Sequence, residues 1–166
     1  MTEEAATATK KEIAIQKIYI KDFSFESPSA PMVFQSSDWT PKTNLNLRSS
    51  HTKKDGGLHE IVLTITAETK HDDKTIFLVE LQQAGLFHIG GYEGEEFAAI
   101  VGSFCPNVLF PYAREMISSA VAKGGFPEFM LQPINFDALY MQSRQQAAAQ
   151  AAQAGSGGDG SNGGSH

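Results

Sequence analysis

Three groups of side chains in this sequence could act on another molecule. The first is Cys105, the only thiol, with His88 as a conceivable base and Pro106 leading toward a helix N-terminus that would lower a thiol pKa. Phe104 and Pro106 flank it, and a buried core cysteine is the plainer account. The second is the set of histidines His51, His59, His71, His88 and His166, whose spacing fits no metal-ligand pattern, together with the carboxylate pairs Asp72-Asp73 and Glu95-Glu96, which read as a solvated turn and helix start. The third is Asp22, Glu26, Leu78 and Glu80. On regular strands Asp22 and Glu26 share a face, as do Leu78 and Glu80. Two neighbouring strands would then gather carboxylates around one apolar residue. That is either an ordinary charged sheet face, the plainer reading from residues alone, or a patch for a basic partner. No nucleophile elbow, dinucleotide fingerprint or phosphate-binding loop occurs. The residues argue against an enzyme.

The whole chain narrows the choice. Its 166 residues suffice for one domain with a core. Nineteen carboxylates against 13 Lys and Arg give a net charge of −6, which disfavours nucleic acid and suits basic partners. A single cysteine excludes an internal disulfide and a cysteine-based zinc cage. No apolar run approaches a membrane span, and residues 1–11 lack an apolar secretory core, so the expected compartment is the cytoplasm and no membrane insertion is expected.

The elements that must position these residues follow a simple order. Residues 1–11 read as a flexible N-terminus, 12–154 as the domain and 155–166 as a disordered Gly/Ser tail. From 12 to 26 the apolar pairs Ile13/Ile15, Ile18/Ile20 and Phe23/Phe25 each keep period two, but the phase slips near Gln16-Lys17 and Lys21-Asp22, as in a bulged strand. Residues 27–42 hold three prolines and read as a crossover loop. Its Met32, Val33, Phe34 and Trp39 either pack down on the domain or wall a groove. Strands are expected at 43–48, 58–70 and 75–83, the last apolar on both faces for much of its length. Residues 84–94 are glycine-rich, with Gly90-Gly91-Tyr92-Glu93-Gly94 read as a bend permitting close packing, and 95–101 read as a short helix. Four strands followed by helices predict an α+β fold with an antiparallel sheet and two main helices. A partner subunit is the expected cover for apolar residues on the second face.

The joint between sheet and helices is Phe-Cys-Pro-Asn-Val-Leu-Phe-Pro-Tyr-Ala-Arg-Glu, residues 104–115. Its prolines predict an irregular turn at 105–110 and a helix from Pro111 to Lys123, closed by Gly124-Gly125. A further helix starts after Asn135, an N-cap type, with Phe136, Leu139, Tyr140 and Ser143 at helical spacing.

The joint motif, the later Gly-Gly-Phe-Pro and the string Pro-Ile-Asn-Phe-Asp-Ala-Leu-Tyr resemble the SecB family of bacterial protein-export chaperones, over about residues 13–141. The resemblance implies an ATP-independent chaperone without cofactors, a homotetramer built as a dimer of dimers with sheets flanking the helices. It implies unfolded precursor proteins as clients and SecA, the export ATPase, as the recipient. On this resemblance Asp22, Glu26, Leu78 and Glu80 match the SecA-docking surface. Any zinc there would belong to SecA's basic C-terminal segment. Val79, Leu81 and Gln83 match subunit-contact positions, and Phe25, Phe34, Trp39 and Phe77, with Leu139 and Tyr140, match the client groove. A related alternative is a SecB-like guard of a toxin–antitoxin pair.

Overall fold

The computed structural model describes residues 10–38 and 40–156. Four antiparallel strands, β1 (Glu12–Glu26), β2 (Lys42–Lys53), β3 (Leu58–His71) and β4 (Lys74–Gly90), form one sheet in the order β1-β4-β3-β2. Three helices follow: α1 (Gly94–Ala99), α2 (Cys105–Lys123) and α3 (Phe136–Gly155). The α+β class with two main helices is as expected from the order of the elements.

The irregular phase of β1 has a structural cause. Register shifts fall between Ile15 and Lys17 and between Ile20 and Asp22. With them, Ile13, Ile15, Ile18, Ile20, Phe23 and Phe25 pair with Ile89, Phe87, Gly85, Gln83, Leu81 and Val79, which are alternate residues of β4. All three apolar pairs therefore lie on one face despite the slips. Alternate residues of β3, Ile61, Leu63, Ile65 and Ala67, share that face and are fully buried with Leu109, Ala113, Ile117 and Val121 of α2. The core thus lies between α2 and one side of the sheet. The β3–β4 hairpin turns on Asp72 and Asp73, both at positive φ (49° and 60°), a conformation Asp tolerates and a two-residue hairpin requires.

Three expectations are corrected. First, β4 does not end at residue 83: it runs to Gly90, and the bend begins at Gly91 (φ 77°). A Cβ on Gly85, inside this strand, would lie 2.5 Å from Phe87 and 2.9 Å from Leu109, so this glycine admits α2 against the sheet. Second, no irregular turn occupies 105–110. Helix α1 passes through a π-helical turn, Ile100–Phe104, directly into α2, and Pro111 sits inside α2. A proline inside a helix costs about 3 kcal/mol. Burial of Leu109, Phe110, Ile117 and Val121 on the same helix, each worth about 1.5–3 kcal/mol, exceeds that cost. Third, the face away from the helices is mixed rather than oily: Leu78, Ala84 and Leu86 share it with Glu80, Gln82 and His88. The large exposed apolar residues of the sheet, Ile15 (50%), Ile20 (47%) and Leu45 (45%), belong to the helix side of the two edge strands.

Candidate docking face and aromatic groove

Bulging β1 places its acidic residues as well as its apolar ones. Opposite the helices, Glu26 pairs with Leu78, Ser24 with Glu80 and Asp22 with Gln82. Asp22, Glu26, Leu78 and Glu80 are therefore brought together on one open face of two hydrogen-bonded strands. Among the described residues, none of the three carboxylates forms an ion pair. The neighbouring cation Lys21 is committed elsewhere: its Nζ donates to Glu60 Oε1 at 2.7 Å, and the Tyr19 hydroxyl donates to Glu60 Oε2. Lys21, then Tyr19, hold the Glu60 carboxyl below the usual carboxylate range, while burial and the bond to Glu60 push Tyr19 up to about 12.

Phe25 and Phe77 meet where this end of the sheet reaches the helices. Their rings stack at 6.2 Å; Phe126 lies 5.1 Å from Phe77 and 6.4 Å from Phe25, and Phe129 meets Phe77 edge-on at 6.1 Å. Phe34, on the crossover, packs at 5.3 Å on Phe126 yet remains 49% exposed. The Gly124-Gly125 helix stop seats these rings. A Cβ at Gly124 would fall 2.3 Å from Phe25, and one at Gly125 3.1 Å from Phe34. Beside Phe23 and Phe25 an open, mostly apolar cavity of about 270 Å³ runs along Met116, Ala120 and Gly124. The crossover packs down on the domain in part. Val33 is buried and Ser29 Oγ donates to the Thr75 carbonyl at 2.8 Å, whereas Met32 and Phe34 stay exposed. Trp39 lies outside the described residues.

Leu139 and Tyr140 are not brought to this cluster. They line a second hollow of about 360 Å³ between α3 and β2, with Leu47, His51, Val101 and Phe136, and the two hollows share no lining residue. Asn135 caps α3 as expected, accepting from the Ala138 amide at 3.0 Å. Tyr140 lies against Gly102, where a Cβ would sit 2.5 Å from the ring. Ser103 Oγ donates to Asp137, and Arg144 donates to both Glu95 oxygens and to the Tyr140 hydroxyl. These contacts fix the first turns of α3 on the α1–α2 junction.

Val79 and Leu81 are fully buried inside the chain, beneath α2, and Gln83 is nearly so. Gln83 donates from Nε2 to the Tyr19 carbonyl at 3.1 Å, beside the second bulge. Cys105 is fully buried, and desolvation pushes its thiol up to about 12. His88 projects from the other face of the sheet, out of reach of it. That removes the basis for a Cys105–His88 pair.

Sequence reasoning missed Phe126 and Phe129, which carry no periodic signal, and a histidine pair. His51 Nε2 and His59 Nδ1 lie 2.9 Å apart under the Phe97 ring, and burial lowers the pKa of both. Their eight-residue separation brings them together only once β2 pairs with β3. Among the described residues no group of three or more His, Cys, Asp or Glu is placed to hold a metal, and no helix is long and apolar enough to cross a membrane.

A long-stranded antiparallel sheet, with α2 packed on one face and carboxylates on the other, defines an α+β sheet-and-helix fold. The comparisons with known proteins narrow this to a family. Residues 6–147 match the family described as SecB, preprotein translocase subunit SecB. The protein-export protein SecB of Hahella chejuensis is 49% identical over 149 residues, covering 89% of this chain and 93% of the relative. That of Alcanivorax borkumensis is 51% identical over 135 residues, covering 80% and 85%. The chain belongs to the SecB family, the protein-export chaperones. Among solved structures, a SecB-like chaperone of Mycobacterium tuberculosis in complex with a peptide from the HigA1 antitoxin has the same fold. Its TM-score is 0.60 at 15% identity, covering 74% of this chain and 90% of that one.

Proposed function

We propose that this protein is an ATP-independent holdase that keeps precursor proteins unfolded in the cytoplasm and delivers them to the SecA translocation ATPase, with no catalysis of its own. The observation that carries the reading is an apolar hollow walled by Phe23 and Phe25, where Phe25 belongs to a ring cluster with Phe77 and Phe126 and the exposed Phe34 packs on Phe126. Aromatic walls accept many apolar side chains without reading a fixed sequence, and several weak contacts on one assembly add through effective concentration. Leu139 and Tyr140 supply a second contact for an extended client, and Trp39 is assigned to the same groove by family resemblance. Asp22, Glu26, Glu80 and Leu78 form the docking face for SecA's basic segment, and any zinc at that contact comes with the partner.

The working form is a homotetramer, a dimer of dimers. Exposed apolar residues on the helix side, including Ile15, Ile20 and Tyr112, favour such an assembly. Val79, Leu81 and Gln83 enter this interface indirectly, because they set the position of α2 on the sheet. An antitoxin-guarding role is not favoured. The relatives that share half of the residues are export proteins, whereas the SecB-like chaperone seen with an antitoxin peptide shares 15%.

The test offers one client polypeptide in folded and unfolded forms, without nucleotide. Binding restricted to the unfolded form is expected; equal binding to both forms refutes a holdase.

A further inference from the structure

The acidic face depends on a bulge, and the bulge is pinned from both sides of the sheet. Lys21 is the residue left out of register between Ile20, opposite Gln83, and Asp22, opposite Gln82. Were Lys21 to take a regular place in the ladder, opposite Gln82, every side chain from 22 to 26 would change face. Asp22 and Glu26 would then point toward α2, and Phe23 and Phe25 toward solvent. On the helix side, Gln83 Nε2 holds the Tyr19 carbonyl at 3.1 Å. On the open side, Glu60 of β3 reaches diagonally across β4 and takes both the Tyr19 hydroxyl and the Lys21 ammonium, the latter at 2.7 Å. Tyr19 stands opposite the small Ala84, which leaves the path across β4 open. Glu60 is only 9% exposed, on a face without helices, because these two side chains cover it.

We infer that Tyr19, Lys21 and Glu60 form a clasp that positions the acidic docking face: it fixes the bulge that aims Asp22 and Glu26 outward, and it draws the Lys21 ammonium toward Glu60 rather than toward those two carboxylates. These are positioning residues, without contact of their own to the basic partner. The inference rests on the docking reading given above, and it assigns that reading a set of residues outside the docking patch.

The sign of one substitution separates positioning from simple charge. Lys21→Met makes the face more acidic. If net charge alone governed docking, a cationic partner would bind it more tightly. The clasp predicts the opposite, about fivefold weaker binding of a short synthetic Lys/Arg-rich peptide, the scale of coupling between contacting residues. Glu60→Gln weakens binding similarly and Lys21→Arg restores it. Amide hydrogen exchange in the same variants is the second readout. Residues 20–26 exchange faster in Lys21→Met while the centre of β3 is unchanged. Equal or tighter peptide binding by Lys21→Met, or unaltered exchange at residues 20–26, overturns the clasp. Glu80→Lys is the control arm for the docking reading. If the unaltered protein and Glu80→Lys bind the peptide alike, the docking reading itself fails. If Glu80→Lys loses binding and Lys21→Met does not, only the clasp fails.

Discussion

The two regions proposed to meet a partner and a client are built on opposite principles. The acidic face is flat and made from two adjacent strands, and every member is placed by register alone: Glu26 opposite Leu78, Ser24 opposite Glu80, Asp22 opposite Gln82. The aromatic cluster behind the apolar hollow gathers rings from β1, the crossover, β4 and the α2–α3 connection, seated on two glycines. A charged address needs fixed geometry and little depth, since charge complementarity steers a partner from a distance. A site for unfolded chains needs depth and wall pieces on separate segments, so that it fits many side chains. Substitutions in one region should therefore spare the other, and their rank order tests that separation.

The largest effect is expected in the groove. Phe77→Ala removes the ring that touches Phe25, Phe126 and Phe129, and should cost about 3–5 kcal/mol in denaturant unfolding together with most client capture. Next comes Gly124→Val. Its side chain displaces Phe25, costing about 1–3 kcal/mol and weakening an aromatic peptide more than an aliphatic one. Binding titrations with the two peptides measure that difference, and SecA binding should be unchanged by this variant. Acid should act mildly. The folded-state pKa values of His51 and His59 lie below the unfolded value of about 6.5, so the unfolded chain takes up protons first. Stability is then complete above that value and declines as pH falls through the lowered pKa values. Urea midpoints across pH 7.5 to 5, with His59→Phe as the flatter comparison, test the sign. The smallest effect belongs to neither region: Asn135→Ala removes the α3 cap and should cost about 1 kcal/mol, read as faster amide exchange in the first turn of α3.

The same contrast explains what was legible in the sequence. The acidic face was readable because strand parity is local, and the phase slips at Gln16-Lys17 and Lys21-Asp22 already marked the bulges that preserve it. Asn135 and the Asp72-Asp73 turn were readable for the same reason: cap and turn chemistry act within a few residues. Helix continuity through Pro111 was not, because it depends on how much of α2 is buried by a sheet far away in sequence. Nor were Phe126 and Phe129, which lie in a segment without periodicity and acquire a role only when β4 presents Phe77 to them. The packing role of Gly85 was not legible, because one of its neighbours, Leu109, comes from α2. The likeness of the joint motif to one family supplied the proposed groove residues, but it did not separate Phe25 from Leu139 and Tyr140, which line different hollows.

The separation itself is tested most directly by the double charge reversal Glu26→Lys with Glu80→Lys, assayed for two ligands on the same preparation. The account predicts that an unfolded precursor binds with unchanged affinity while SecA binding is lost. Parallel loss of both ligands, or SecA binding that survives, contradicts it.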